Sequence, residues 1–304
     1  MPLPNRTSKT AHTPLIRTLR FLWKRLPAGV LASRAMRAAG RLIYKHLVRD
    51  TDRNQTHPTR FLRNVPQLEV LRNQISRREF DSTLRIASIG CSNGAELYST
   101  LWILRRARPD LRVIAKGIDI SPTIVEVARR GVYAVQSTAA GREVEHVDEN
   151  AVAAADVARI GAILQPAPGE TLRVHDWLRE RIEWAVCDAT DAPLLELLGP
   201  QDLVLACNFL GPMDDPLAEA CLRNVSRLVS PGGILVVDGV DLDLKARVIP
   251  TLGFTPITER AEEAFSADPS KRDWPWQRWS HEPFDPKRRD AAFRYPTIFV
   301  KSSE

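Results

Sequence analysis

The spacing of apolar residues changes repeatedly along this chain, and the changes predict its architecture. Apolar residues three or four positions apart, as in helices, fill the stretches between several short apolar runs typical of buried strands. These runs lie at 84–89, 113–118, 182–186, 203–207 and 234–237. Strands that alternate with helices form a mostly parallel sheet covered on both faces. Further strands are expected after Gly253 and over 293–300. We therefore predict an α/β, Rossmann-like fold with a sheet of about seven strands.

The first strand leads into the stretch LRIASIGCSNGAELYS, residues 84–99. Its loop contains Gly90 and Gly94, and a helical pattern begins directly behind it. Glycine lets the backbone approach a ligand closely, and the start of a helix offers unpaired N–H groups. A dinucleotide site has the spacing G-x-G-x-x-G, whereas G-x-x-x-G here fits S-adenosylmethionine better than NAD. Another α/β nucleotide-binding fold is the alternative, and tight binding of NADH would indicate a dehydrogenase.

Three short motifs resemble those of a known family. They are TRFLRN at 59–64, SIGCSNGAELYS at 88–99 and GVY at 131–133. They resemble motifs of the CheR-type methyltransferases, which comprise the chemotaxis-receptor methyltransferases and their relatives and use S-adenosyl-L-methionine. The similarity spans residues 58 to 240. It implies a class I methyltransferase fold, this cofactor, and an enzyme that transfers the cofactor's methyl group.

Four charged side chains are expected to bind the cofactor. The resemblance places Arg63 against the carboxylate of its methionine part and Glu96 against its α-amino group, and a guanidinium forks onto a carboxylate through two hydrogen bonds. Alternatively, Glu96 serves only as an acid in the first turn of the helix, where the helix dipole stabilises its negative charge. Asp119 ends the second strand, where this fold holds ribose hydroxyls. Asp188 either accepts a hydrogen bond from the adenine amino group or only stabilises the turn in which it lies. The predicted cofactor-binding set is completed by Gly90, Cys91, Ser92, Gly94, Ile120, Ala189 and Asn208.

The methyl acceptor is less well defined by the sequence. Asn208 matches the asparagine of the family motif Cys-Arg-Asn-Val-Leu-Ile-Tyr-Phe, but Gly211-Pro212-Met213 replaces its Ile-Tyr-Phe, so the family's tyrosine near the methyl group is absent. Residues 136–181 are expected to form an insertion or lid over the active site, of more helical composition than the receptor-docking β subdomain of the chemotaxis enzymes. We predict a small metabolite methylated on oxygen or nitrogen. The alternatives are a protein-glutamate O-methyltransferase of a receptor and a non-catalytic S-adenosylmethionine-binding module. No catalytic residue is identified.

The front of the chain is strongly basic. Residues 1–63 contain 14 Lys or Arg against two acidic residues, although the net charge of the whole chain is only +6. We divide the chain into a basic helical N-terminal segment at 1–57 and a methyltransferase domain at 58–304. A first helix has apolar residues at 15, 19, 22, 23 and 26, and a second has basic residues at 34, 37, 41, 45 and 49 along one stripe. The basic surface of these two helices is either simply exposed to solvent, or it binds an acidic protein or an anionic membrane. Nucleic acid is not expected.

Several other classes of protein are disfavoured. No apolar run has the length of a membrane span and no signal-peptide pattern opens the chain. We expect a cytoplasmic protein. The basic helices would also allow it to associate peripherally with a membrane. The four cysteines form no C-x-x-C pair, which favours free thiols over a disulfide or metal site. An aromatic cluster at 274–284 is expected to pack as an edge or lid, or else to line the acceptor pocket.

Overall fold

The computed structural model describes residues 14–48, 59–136, 151–191, 193–267, 274–276 and 282–303. The strands in these ranges are β1 (Thr83–Ile89), β2 (Arg112–Asp119), β3 (Val132–Gln136), β4 (Ala151–Ala153), β5 (Leu164–Ala167), β6 (Thr171–Val174), β7 (Ile182–Val186), β8 (Gln201–Cys207), β9 (Val229–Asp238), β10 (Phe254–Pro256) and β11 (Ile298–Lys301). The helices are α1 (Pro14–Trp23), α2 (Ala28–Leu31), α3 (Arg34–Ile43), α4 (Val65–Ile75), α5 (Ala95–Ala107), α6 (Pro122–Arg130), α7 (Val157–Ile160), α8 (Asp176–Arg179), α9 (Leu194–Leu198), α10 (Asp215–Leu228), α11 (Leu242–Val248), α12 (Ala261–Ser266) and α13 (Ala291–Arg294).

The main sheet has seven strands in the order β10-β11-β9-β8-β1-β2-β7. The five strands from β9 to β7 run parallel to their neighbours, whereas β11 is antiparallel to both β9 and β10. Apolar side chains fill both faces of β1 and β8, as a sheet covered by helices on either side requires. The predicted Rossmann-like class I methyltransferase fold is confirmed.

The strand order reverses beside β1, and this reversal determines where the sheet can bind a ligand. The chain passes from β1 to β2 on one side, and it later returns to pair β8 on the other, so that Ile86 lies opposite Ala115 and Leu203. Helices leave neighbouring strands to opposite faces at such a point, which opens a crevice at the carboxyl ends of the strands. The glycine-containing loop 90–94 lies at this crevice.

A second, four-stranded sheet has the order β4-β3-β6-β5. The helical composition expected for 136–181 is therefore wrong in its described part, although α7 and α8 also lie there. The break PAPG at 166–169 is the end of a hairpin: β5 and β6 pair antiparallel, and Gly169 and Glu170 both have positive φ in the loop between them. Such conformations suit the twist of a hairpin. Alanine concealed this pattern because its local preference is for helix.

The ends of two strands also differ from expectation. The segment predicted as the last strand, 293–300, begins in α13, and β11 starts only at Ile298. In turn, β9 begins at Val229, before the expected turn at 230–233, with an irregular register against β8 between Gln201 and Leu203. Both errors concern boundaries and leave the predicted order of the core strands intact.

The N-terminal helices pack on the C-terminal part of the chain. Trp23 makes edge-to-face contacts with Trp274 and Trp276, whose ring centroids lie 5.3 and 6.4 Å from its own. These tryptophans form an apolar cluster with Ile16. The aromatic stretch thus packs against the front of the chain, and Trp274 and Trp276 lie outside the site described below; residues 277–281 lie outside the described ranges.

The basic stripe predicted on the second helix is partly internal. Arg37 is only 4% exposed, and its guanidinium pairs with Glu282 at 3.2 Å. Arg41 pairs with Asp243 at 2.9 Å. Both ion pairs connect α3 to the rest of the protein, and the buried guanidinium of Arg37 requires such an acidic partner. Arg49 lies outside the described residues.

Candidate functional site

A cavity opens at the carboxyl ends of β1, β2, β8 and β9. Its wall contains nine of the eleven residues predicted to bind cofactor: Arg63, Gly90, Cys91, Ser92, Glu96, Asp119, Ile120, Ala189 and Asn208. They come from five separate segments, which only the parallel sheet brings to one edge. Gly94 and Asp188 are the two that lie outside this wall.

The loop after β1 is held tightly in an unusual conformation. The Cys91 amide donates to the Ile118 carbonyl at 2.8 Å, and the Ser92 amide donates to Asp119 Oδ2 at 2.9 Å. Gly90 and Ser92 both have positive φ, at 67° and 50°. A Cβ on Gly90 would come within 2.6 Å of the Phe209 Cβ. Strained backbone of this kind persists where a site requires a fixed shape.

Gly94 has a different role from the one expected. It precedes α5 with a φ of 87°, and a Cβ there would meet Trp184 and Tyr98, each at 3.0 Å. Its missing side chain therefore makes room for core aromatics on the side away from the cavity. The requirement for glycine thus has two physical causes, the positive φ of this turn and the close packing of the two aromatic rings.

Asp119 is a buried acid at the tip of β2. It is 5% exposed, and its Oδ1 accepts a hydrogen bond from the Ser121 amide at 3.1 Å while Oδ2 accepts from Ser92. Each carboxylate oxygen has two acceptor positions, so these bonds leave capacity for hydroxyl donors in the cavity. The fixed orientation suits the pair of hydroxyls on a ribose.

Arg63 and Glu96 are close enough to interact electrostatically. Burial raises the pKa of Glu96, whereas a hydrogen bond from the Cys207 thiol and the positive charge of Arg63 lower it. Ser88 Oγ also donates to Glu96 Oε2, at 3.4 Å. Burial likewise raises the pKa of the Cys207 thiol well above its ordinary range, so Cys207 remains a neutral donor. A guanidinium beside a carboxylate matches the two charges of an amino-acid group.

Asp188 belongs to its own turn. Its Oδ1 accepts from the amide and the hydroxyl of Thr190, at 2.9 and 2.8 Å. The flanking residues Cys187 and Ala189 are the ones in the cavity wall. Asp188 follows the end of β7 and opens the turn at 189–190, so its carboxylate is positioned to accept from groups of that turn. Residues 187 and 189, with Ile120, form a mostly apolar surface suited to a flat base.

Sequence reasoning missed Asp238 at the end of β9. It is 6% exposed, lies in the cavity wall, and accepts from the Gly239 amide at 2.8 Å. The Asn208 amide donates to the Asp238 carbonyl at 2.8 Å, and Asn208 itself has a φ of 65°. The available signal was position, since Asp238 ends a parallel strand adjacent to β8. Arg60, Gln67, Cys207, Phe209, Pro212 and Met213 were also missed.

The residues of the wall fit S-adenosylmethionine chemically. Arg63 matches a carboxylate, Glu96 an ammonium and Asp119 a diol, and the surface at 120, 187 and 189 matches an adenine ring. The strained loop at 90–92 shapes the floor between the two carboxylates. Among the described residues, no group of three His, Cys, Asp or Glu is arranged to hold a metal ion. Likewise, the described part of the chain has no helix long and apolar enough to cross a membrane.

The raised pKa of Glu96 leads to a prediction about pH. The cofactor's ammonium favours ionised Glu96, so the complex binds fewer protons than the free protein when the pH lies near this raised pKa. Affinity for S-adenosylhomocysteine is therefore expected to fall as the pH falls from 7 toward about 5, although both charges of its amino-acid group persist over that range. Calorimetric titration across this range measures the slope. Glu96→Gln is expected to bind more weakly at pH 7 and to lose the slope; an equal slope in this variant would contradict the assignment.

Comparison with known proteins identifies related sequences. The family model "CheR methyltransferase, SAM binding domain" matches residues 57–243. A probable biofilm formation methyltransferase, WspC of Pseudomonas putida, is 27% identical over 169 residues, which cover 54% of this chain and 36% of that protein. Chemotaxis protein methyltransferase 2 of Vibrio cholerae is 25% identical over 186 residues, covering 58% of this chain and 59% of that one. The matched regions thus span less than two thirds of either relative.

Solved structures give weaker likenesses. An O-methyltransferase family protein from Burkholderia thailandensis is 16% identical, with a TM-score of 0.38, and the match covers 79% of this chain and 56% of that one. A likeness at this level supports no conclusion about activity.

Proposed function

Since the chain belongs to the CheR methyltransferase family and contains its S-adenosylmethionine-binding domain at 57–243, we propose that it transfers the cofactor's methyl group to a carboxylate side chain of a protein. The observation that carries this choice is the small sheet β3–β6. It lies where the resemblance places the receptor-docking β subdomain of the chemotaxis enzymes. The expected helical composition of this region was, beside the absent tyrosine, one of two reasons to discount a protein acceptor. The name of the Vibrio relative, a chemotaxis protein methyltransferase, supports the same choice.

The composition of the cavity wall also supports a carboxylate acceptor. An ionised carboxylate needs no base, whereas a hydroxyl or an ammonium must first lose a proton. Among the described residues, the wall contains no histidine, lysine or tyrosine. Arg60 lies in the wall with an exposed side chain, where it can attract an anionic acceptor.

Catalysis in this site rests mainly on positioning. Bound S-adenosylmethionine supplies a methyl group on a positively charged sulfur, which is already an activated leaving group. Arg63 and Glu96 would hold the amino-acid end of the cofactor, Asp119 its ribose in the middle, and the surface at 120, 187 and 189 its adenine. The cavity wall would hold an acceptor oxygen toward the methyl carbon, and the sulfur would take the electron pair of the broken carbon–sulfur bond. Holding both reactants in line removes most of the entropic barrier.

A second candidate is methylation of a small metabolite on oxygen or nitrogen. The loop Gly211-Pro212-Met213 favours it, because Pro212 and Met213 lie in the cavity wall where the family has a tyrosine segment. Asp238, in the same wall, is the group that could take a proton from such an acceptor. A non-catalytic cofactor-binding module is the remaining alternative.

The chemical stability of the transferred methyl group separates these functions. The protein is incubated with radiolabelled S-adenosylmethionine and a lysate of its source cells, and the precipitated macromolecules are then treated with mild alkali. The proposal predicts label in the protein fraction that alkali releases as volatile methanol, because carboxyl methyl esters hydrolyse readily. Asp119→Ala supplies the background. Alkali-stable label, label only in small molecules, or no label above background would each contradict the proposal.

A further inference from the structure

The first helix presents much of its apolar stripe to solvent. The sequence pattern predicts that residues 15, 19, 22, 23 and 26 share a face, but the helix is anchored through Ile16 and Trp23 instead. Leu22 is 54% exposed and Leu19 is 38% exposed. Phe21, further around the helix, is 52% exposed. Soluble proteins usually expose large apolar side chains singly, whereas this ten-residue surface helix exposes three of them.

The same surface is basic throughout. Residues 14–48 contain eight Lys or Arg and no Asp or Glu. Arg37 pairs with a buried acid and Arg41 with a partly exposed one, whereas Arg17, Lys24 and Arg25 lie exposed on or next to α1. The Arg25 guanidinium lies 3.7 Å from the centroid of the Phe21 ring, which keeps a positive charge beside the exposed aromatic. Apolar and cationic groups are therefore interleaved over this face.

Contacts with the rest of the protein fix the orientation of this face. Trp23 packs on Trp274 and Trp276, and the Arg37–Glu282 ion pair secures the adjoining α3. The exposed face is thus presented by a helix that is already folded and docked. Binding of a ligand to this face therefore requires little further ordering of the helix, which favours binding.

We propose that the exposed surface of α1 and of the turn after it, formed by Arg17, Leu19, Phe21, Leu22, Lys24 and Arg25, binds the surface of an anionic lipid bilayer. Phe21 and Leu22 would enter the boundary between headgroups and acyl chains, while the basic side chains contact lipid phosphates. The same surface of a second copy is a poor occupant, because a symmetric contact would bring equal positive charges together. Lipid also accommodates separate protruding side chains, whereas an acidic protein would need a matching pocket for each. This inference is independent of the methyl acceptor.

Sedimentation with lipid vesicles tests the proposal on the full chain. We expect the protein to sediment with vesicles of mixed phosphatidylcholine and phosphatidylglycerol, to remain in solution with phosphatidylcholine alone, and to be released by high salt. The double variant Phe21→Ser, Leu22→Ser is expected to bind at least about tenfold more weakly. Phe80→Ser is the matched control, since Phe80 is 83% exposed on a distant turn; it is expected to bind as the wild type does.

Three results would overturn the proposal. The first is an absence of binding to the anionic vesicles. The second is undiminished binding by the Phe21/Leu22 variant when its circular dichroism matches that of the wild type. The third is equally tight binding of the wild type and of this variant to soluble polyglutamate, which would indicate an acidic protein partner.

Discussion

Replacing Arg294 by alanine is expected to lower the free energy of unfolding by about 3 to 5 kcal/mol, the usual cost of removing one partner from a buried charge network. Arg294 is 1% exposed. It pairs with Glu282 at 3.3 Å, with Asp290 at 2.8 Å, and closely with Asp243. Without it, Arg37 is the one ion-pair partner that the buried Glu282 carboxylate keeps among the described residues.

Urea unfolding followed by circular dichroism measures this effect. Arg247→Ala is the control, because Arg247 is largely exposed and pairs with Glu219 at the surface; its expected cost is below about 1 kcal/mol. Similar costs for the two variants would show that the buried network contributes no more than a surface pair.

The cost at Arg294 should also depend on pH. Burial raises the pKa of Glu282, and Arg294 opposes that shift, so the variant raises this pKa further. A native acid with a raised pKa binds more protons than the unfolded chain does, and stability then falls as pH rises. The destabilisation is therefore expected to be smaller near pH 5 than near pH 7, because a buried carboxyl takes up its proton over about this range.

Asp119→Ala is expected to weaken binding of S-adenosylhomocysteine by about tenfold to a hundredfold, which corresponds to lost hydrogen bonds worth about 1 to 3 kcal/mol. The variant removes the acceptors for the ribose hydroxyls. It also frees the amides of Ser92 and Ser121, whose hydrogen bonds shape the loop. Calorimetric titration measures the affinity, and thermal unfolding verifies that the variant folds.

Asp188→Ala is the matched control for that experiment. Asp188 is an acid at the end of the neighbouring strand, yet it lies outside the cavity wall and accepts from Thr190. Its replacement is expected to leave the affinity unchanged within about twofold, because its carboxylate accepts from the turn and lies outside the cavity wall. If Asp188→Ala weakened binding as much as Asp119→Ala, the sequence-based expectation for adenine would be right and the assignment of this acid to the turn wrong.

Local patterns were sufficient to predict the core of the site. Gly90, Glu96 and Asp119 lie within a few residues of strand ends that the apolar runs mark clearly. In a parallel sheet, such ends meet at one edge whatever lies between them. The cofactor site could therefore be assembled from segments separated by long stretches of chain. Asp188 follows its strand by two residues and opens a turn, and the sequence left open whether its carboxylate serves that turn or the ligand.

Long-range partners account for what the sequence left hidden. Arg37 reads as one more residue of a basic stripe, and only the fold brings it to Tyr295, 258 positions away, and to Glu282. The exposure of Leu22 has the same origin, because the tryptophan cluster at Trp23 decides which side of α1 is covered. Neither contact leaves a signal in the spacing of residues near it.

The central claim is that Arg63, Glu96 and Asp119 converge on one S-adenosylmethionine site. Calorimetric titration of the purified wild-type protein with S-adenosylhomocysteine tests it most directly. We expect one site per chain with micromolar affinity, and weaker binding for an analogue that lacks the amino-acid carboxylate. A protein shown to be folded that binds neither S-adenosylhomocysteine nor S-adenosylmethionine would show that the three side chains do not form this site.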